Sequence, residues 1–113
     1  AASLVNVWLN KAKFELIAMT WSVYIIACSD GSLYTGISTD VARRFQQHQT
    51  GKGAKYFNGR EPSAIVFVES GHCRRSATLR EGAIKKMKRS EKLKLIATQP
   101  ESSASASLAP LIA

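Results

Sequence analysis

The chain has 113 residues, a formal net charge of +8 and a sequence pI of about 9.9, a length that suits one domain with one modest core. Hydrophobic residues make up 45% of it, which excludes wholesale disorder, and the basic balance points to a polyanion partner, nucleic acid ahead of an anionic membrane. Cys28 and Cys73 are the only cysteines; two are too few for a structural zinc site, and without a secretory signature a reducing cytoplasm is the expected compartment.

Residues 1–18, AASLVNVWLNKAKFELIA, mix apolar and basic residues without the apolar h-region and cleavage site of a signal peptide. They are too interrupted to span a membrane. They are read as an N-terminal extension that need not be native to the domain, which starts at Met19; an amphipathic first helix is the other reading. TWSVYIIAC is β-rich and apolar on both faces, the pattern of a buried central strand. SDG is turn chemistry, and SLYTGIS is a second strand, so the two form a hairpin. Asp40 or Thr39 caps the helix VARRFQQHQT, and Gly51 ends it. Residues 51–62 are a basic loop, SAIVFVE is a third strand and GHCRR a connection. SATLREGAIKKMKR is a helix despite Gly82, and Ser90 caps a last short helix, EKLKLIAT. The order ββαβαα gives an α+β domain over residues 19–99, with a three-stranded, mostly antiparallel sheet flanked by helices. Residues 100–113 read as a flexible low-complexity tail.

Several side chains on this frame carry possible chemistry. On the first helix, Val41, Ala42 and Phe45 mark the buried side. Arg44 and His48, four apart, are neighbours on one flank. A protonated His48 would repel Arg44, so the pair makes better sense facing an anion than supporting the helix; two unrelated surface residues are the bland alternative. Tyr24 and Tyr34 lie on the two hairpin strands. A loop of Asp30-Gly31 alone puts them on opposite faces, whereas Ser29-Asp30-Gly31 with a left-handed Gly31 puts them on one face. Gly36 keeps that face uncrowded.

On the second helix the apolar side runs through Leu79, Ala83, Ile84 and Met87, with Glu81 beyond its margin. Glu81 is the only acid between Glu69 and Glu91. It either pairs with Lys85 or holds a divalent cation, for which magnesium is suited because it keeps most of its waters. The bases of the domain gather in two places, Arg43, Arg44, Lys52, Lys55 and Arg60 in the first helix and loop, and Arg74, Arg75, Arg80, Lys85, Lys86, Lys88, Arg89, Lys92 and Lys94 in the last two helices. Together they could form one phosphate-binding surface with a strong salt dependence.

VYII followed ten residues on by YTG resembles the GIY-YIG nuclease superfamily, above all its small stand-alone bacterial members. Arg44 stands ten residues after Tyr34, as the family's catalytic arginine does after its second tyrosine. His48 follows four later, where members carry His or Tyr, and Glu81 falls on the next long helix, where the family places its metal-binding glutamate. The first motif here is Ser22-Val23-Tyr24 rather than Gly-Ile-Tyr, the second Tyr-Thr-Gly, and the stretch SEKLKLIAT lacks the asparagine that many members carry. The resemblance implies a metal-dependent endonuclease acting on nucleic acid, DNA rather than RNA, with low sequence specificity for want of an accessory DNA-binding domain. It implies Mg²⁺ or Mn²⁺ on Glu81 and Arg44 on the non-bridging phosphoryl oxygens. Tyr34 would orient or deprotonate the attacking water, with Tyr24 and His48 completing the hydrogen-bond network. Arg43, Lys52 and Lys55 would bind flanking backbone. No membrane and no obligate protein partner is expected. A non-catalytic nucleic-acid-binding module on the same fold is the alternative.

Overall fold

Strand β1 (Trp21–Cys28) runs down the middle of the sheet, between β2 (Leu33–Ser38) and β3 (Pro62–His72). Both ladders are antiparallel. The computed structural model describes residues 7, 9, 10 and 18–99; apart from those first positions, the expectations for residues 1–18 and 100–113 lie outside the described residues. Helix α1 (Val41–Gln49) follows β2, and α2 (Arg74–Lys85) and α3 (Arg89–Ala97) follow β3. The expected ββαβαα order and α+β class are what the chain adopts.

Residues 23–26 of β1 are buried on both faces, as a central strand must be. Alternation sends its side chains to two cores. Val23 and Ile25 meet Phe67 of β3 with Ala77 and Ile84 of α2, and half-buried Met87, Leu95 and Ile96 close over them. Tyr24, Ile26 and Cys28 meet Phe57 on the other face, with Tyr34, Val41 and Phe45 packed around. Both cysteines are free thiols.

The hairpin turn decides which face each tyrosine takes. Gly31 N–H donates to the Cys28 carbonyl at 2.9 Å, and Cys28 N–H donates to the Ser32 carbonyl at 2.9 Å. The loop is therefore Ser29-Asp30-Gly31, and Gly31 adopts φ 84°, a left-handed conformation that only glycine enters freely. Asp30 Oδ1 secures it by accepting from Ser32 N–H at 2.9 Å and Ser32 Oγ–H at 2.6 Å. The resulting register sets Tyr24 opposite Gly36 and Ile26 opposite Tyr34. The two tyrosines share a face.

Three sequence expectations need correction. On α1, capped by Asp40 Oδ1 accepting from Arg43 N–H at 3.1 Å, Ala42 is exposed, and the inward stripe is Val41, Arg44, Phe45 and His48. On α2, Leu79 is 68% exposed and Ala83 is exposed too. The buried pair Ala77 and Ile84 lies seven residues apart, on one line of the helix, and Leu79 stands roughly 200° round from it; Arg80 and Glu81 fill the stripe between, both half-buried. Glu81 is thus inside the sheet-facing stripe rather than beyond its margin. Finally, Ser90 does not cap α3. The carbonyl of Lys88, in extended conformation, already accepts from the amides of Glu91 and Lys92 at 3.0 Å each, so Ser90 lies within the first turn.

Helix α2 starts earlier than expected, because Cys73 and Ser76 cap it reciprocally. Cys73 Sγ accepts from Ser76 N–H at 3.4 Å, and Ser76 Oγ accepts from Cys73 N–H at 3.1 Å. The basic loop also has structure of its own, a 3₁₀ turn over Lys55–Phe57 that drives Phe57 into the Tyr24 core.

Candidate active site

Tyr24 and His48 are 1% and 2% exposed, and the phenol oxygen lies 3.0 Å from His48 Nε2. On the far side of the imidazole, Nδ1 accepts the backbone N–H of Ala54 at 3.2 Å. Helix α1 brings His48 to the sheet, and the basic loop returns beneath it. Phe57 packs 4.4 Å from the imidazole, centroid to centroid. Tyr34 completes the cluster, its ring centroid 5.3 Å from His48, 4.8 Å from Phe57 and 5.2 Å from Tyr56. Arg60 lies over Tyr56, its Cζ 4.3 Å from the ring centroid and its Nε 3.4 Å from Asp30 Oδ2.

The electrostatics separate these groups. Burial, with the Arg44 charge adding to it, pulls the His48 pKa down to about 4, so the imidazole is neutral near pH 7. Burial pushes the Tyr24 phenol well above its ordinary value; a Tyr34 phenolate would push it further, and Arg44, by charge and hydrogen bond, works against both. Burial also raises the Tyr34 phenol, opposed by Arg44 and reinforced by Glu81, while a hydrogen bond from Tyr24 lowers it. Arg44 itself is half-buried and anchored through Nη1 to Gln47 Oε1 at 3.0 Å.

Glu81 stands on α2, whose Ala77 and Ile84 pack against the other face of the sheet. Its carboxylate is 3.6 Å from Lys85 Nζ and its side chain is 21% exposed. Its charge nevertheless raises both phenols, so pairing with Lys85 does not cancel its field at the tyrosines. Among the described residues no cluster of three or more His, Cys, Asp or Glu side chains is placed to hold a metal. A lone half-buried carboxylate still fits a hard cation that keeps most of its water and takes a phosphate as its other ligand.

Of the residues singled out from sequence, Tyr24, Tyr34, Arg44 and His48 come together on one face, with Glu81 in electrostatic reach. Arg43, Lys52 and Lys55 are exposed, and none of them pairs with an acid among the described residues. Gly53, Ala54, Tyr56 and Phe57 were not foreseen as part of the site, and Arg60 only as one of the surface bases. The adjacent aromatics Tyr56 and Phe57, in an otherwise basic loop, were the available signal. Gly53 gives none, because its need for glycine arises from a side chain distant in sequence.

The sequence model of the GIY-YIG catalytic domain matches residues 20–94. A UPF0213 protein of Cupriavidus pinatubonensis is 45% identical over 83 residues, covering 72% of this chain and 92% of that protein. Another, of Oceanobacillus iheyensis, is 46% identical over 79 residues, covering 70% and 92%. A solution NMR structure of a UPF0213 protein from Bacillus halodurans is 38% identical, covers 75% of this chain and 93% of that one, and has a TM-score of 0.49. The matched segment contains both tyrosines, all of α1 and Glu81, and the chain belongs to the GIY-YIG catalytic-domain family.

Proposed function

We propose that this protein is a divalent-metal-dependent endonuclease that hydrolyses nucleic-acid phosphodiester bonds, DNA in preference to RNA, with low sequence specificity. Family membership implies a nuclease-type function. The observation that carries the finer reading is the convergence of Tyr24, Tyr34, Arg44 and His48 on one face, with the Glu81 carboxylate acting on the same phenols.

Phosphodiester hydrolysis needs an oriented and activated water, neutralised phosphoryl charge and help for the leaving oxygen. Arg44 offers a half-buried guanidinium whose fork suits two non-bridging oxygens. Tyr34 is the more exposed of the two phenols and the one able to meet a water. Tyr24 is buried and held protonated, so it serves as a hydrogen-bond donor. His48 is neutral and committed on both nitrogens, which suits it to placing Tyr24. Glu81 would hold Mg²⁺ or Mn²⁺, which when bound polarises the phosphoryl group and stabilises the departing oxygen. Arg43, Lys52 and Lys55 grip the backbone on either side without reading sequence. No helix among the described residues is long and apolar enough to cross a membrane, and a cytoplasmic site of action belongs to the same reading.

The test is cleavage of labelled single-stranded, duplex, nicked and branched DNA in Mn²⁺ by the wild type and by Glu81→Ala. Metal-dependent cutting that disappears in the variant supports the proposal and ranks the substrate shapes. No cutting by the wild type, or equal cutting by both, removes Glu81-centred catalysis. Salt-sensitive binding that survives in that case identifies a binding module, the reading to which the missing asparagine in SEKLKLIAT lends weight.

A further inference from the structure

The basic loop meets the site through its backbone rather than its charges. Gly53 is not among the glycines with positive φ, so it is not there for conformational freedom. A Cβ on it would stand 2.0 Å from His48 Nδ1, 2.8 Å from Cε1 and 2.9 Å from Cα, closer than any packing allows. Glycine at this position lets the peptide come up against the imidazole, and the next amide, Ala54 N–H, donates to Nδ1 at 3.2 Å.

That contact has a chemical consequence. A neutral imidazole carries one ring proton. A donor at Nδ1 requires a lone pair there, so the proton sits on Nε2. Nε2 is 3.0 Å from Tyr24 Oη and therefore donates to it. Accepting from Nε2–H, the Tyr24 hydroxyl must point its own proton away from His48, and Tyr34 shares that face of the sheet, its ring centroid 6.3 Å from that of Tyr24. With Nδ1 protonated instead, two N–H groups would confront each other at Ala54, and Tyr24 would give its proton to His48.

We propose that the Gly53–Ala54 peptide is a positioning element of the site: it fixes His48 as the Nε2–H tautomer and thereby turns the Tyr24 hydroxyl proton away from His48, on the face that Tyr34 shares. His48, with both nitrogens committed, is then not free to take a proton from Tyr24 or from an attacking water. The last step rests on the nuclease reading; the tautomer does not.

The tautomer is read by long-range ¹H–¹⁵N NMR on the full chain labelled at histidine, because bare and protonated ring nitrogens resonate far apart. His48 is expected as Nε2–H at neutral pH. A predominant Nδ1–H form, or an even mixture, overturns the proposal. The second variant replaces the Gly53–Ala54 amide by an ester, with lactic acid at position 54, which removes the N–H with almost no change of shape. The Nε2–H preference should then weaken, and kcat for DNA cleavage should fall by about tenfold, the worth of one hydrogen bond, with KM within twofold of wild type. An ester protein with unchanged tautomer and unchanged kcat overturns it equally. A wild type that cuts no DNA sinks the nuclease reading and leaves the loop's role to be decided by the two NMR spectra.

Discussion

The Tyr24 ring lies against the α-carbon of Gly36, its cross-strand partner: a Cβ there would stand 2.5 Å from Tyr24 Oη and 2.7 Å from Cζ, with Tyr34 Cε1 at 3.1 Å. Tyr24 cannot swing aside, since it is 1% exposed and its hydroxyl is tied to His48. Gly36→Ala must therefore displace the phenol itself. Overpacking of this kind costs roughly 1–3 kcal/mol, to be read as a lower urea midpoint. Cleavage should fall at least tenfold even at temperatures where the variant is fully folded, since a hydrogen-bonded group is moved rather than merely loosened. A folded Gly36→Ala protein that cuts like wild type would mean that the position of the Tyr24 hydroxyl is not needed.

Thr35, between the two, faces the opposite core. It is 3% exposed, and its hydroxyl has no hydrogen-bond partner. Its strand partner is Ile25, buried with Val23 and Phe67. A buried hydroxyl without a partner costs about 1–3 kcal/mol, and valine has almost the same shape without it. Thr35→Val is expected to raise stability by about 1 kcal/mol, seen as a higher melting temperature, with cleavage unchanged because the side chain points away from Tyr34. A lower melting temperature would show that the hydroxyl is satisfied in solution.

Much of this was legible in the sequence because it depends on local pattern. The run VYII could only be a strand buried on both sides, and SDG with a left-handed glycine allowed one register that puts Tyr24 and Tyr34 together; Gly31 adopts that conformation. The four-residue spacing of Arg44 and His48 made them neighbours on any helix. The order of the elements followed from the turns. What stayed hidden depends on tertiary contact. Leu79 is apolar yet exposed, because Ala77 and Ile84 decide which side of α2 meets the sheet. Ala42 lost its place in the buried stripe to His48, a polar residue that the aromatic floor of Phe57 and the Ala54 amide make fit for burial. Ser90 carries a cap-former's side chain but sits two residues beyond the backbone break at Lys88.

His48 also gives the fold a pH dependence whose sign can be stated. Its pKa falls from 6.5 in the unfolded chain to about 4 in the folded protein, through burial first and the Arg44 charge second. Between those values the unfolded state binds more protons, so stability rises with pH. The His48 contribution is complete above about pH 6.5, declines as the pH drops through the window, and is lost once the pH is below about 4. Urea unfolding between pH 7 and pH 4 should show this decline in the wild type and a flatter curve in His48→Gln, which keeps a donor and an acceptor but does not titrate. Parallel curves for the two proteins would show that another group sets the slope.

Lys52 and Lys55 differ from Arg44 in what their loss should do. Both lysines are exposed, and neither has an acidic partner among the described residues, so each can neutralise one phosphate and release its counterion. Replacing either by alanine should weaken DNA binding similarly for every sequence and lower the magnitude of the slope of log affinity against log salt by about 1. The kcat should hold. Arg44→Lys keeps the charge but removes the planar fork that addresses two oxygens at once, so binding and salt slope should barely change while kcat falls by about a hundredfold. The two classes of variant therefore separate along two axes, salt slope and kcat. If Arg44→Lys lowers the salt slope and leaves kcat intact, Arg44 is one more backbone contact, and the aromatic face it shares with Tyr24 is a docking surface rather than a place where bonds are broken.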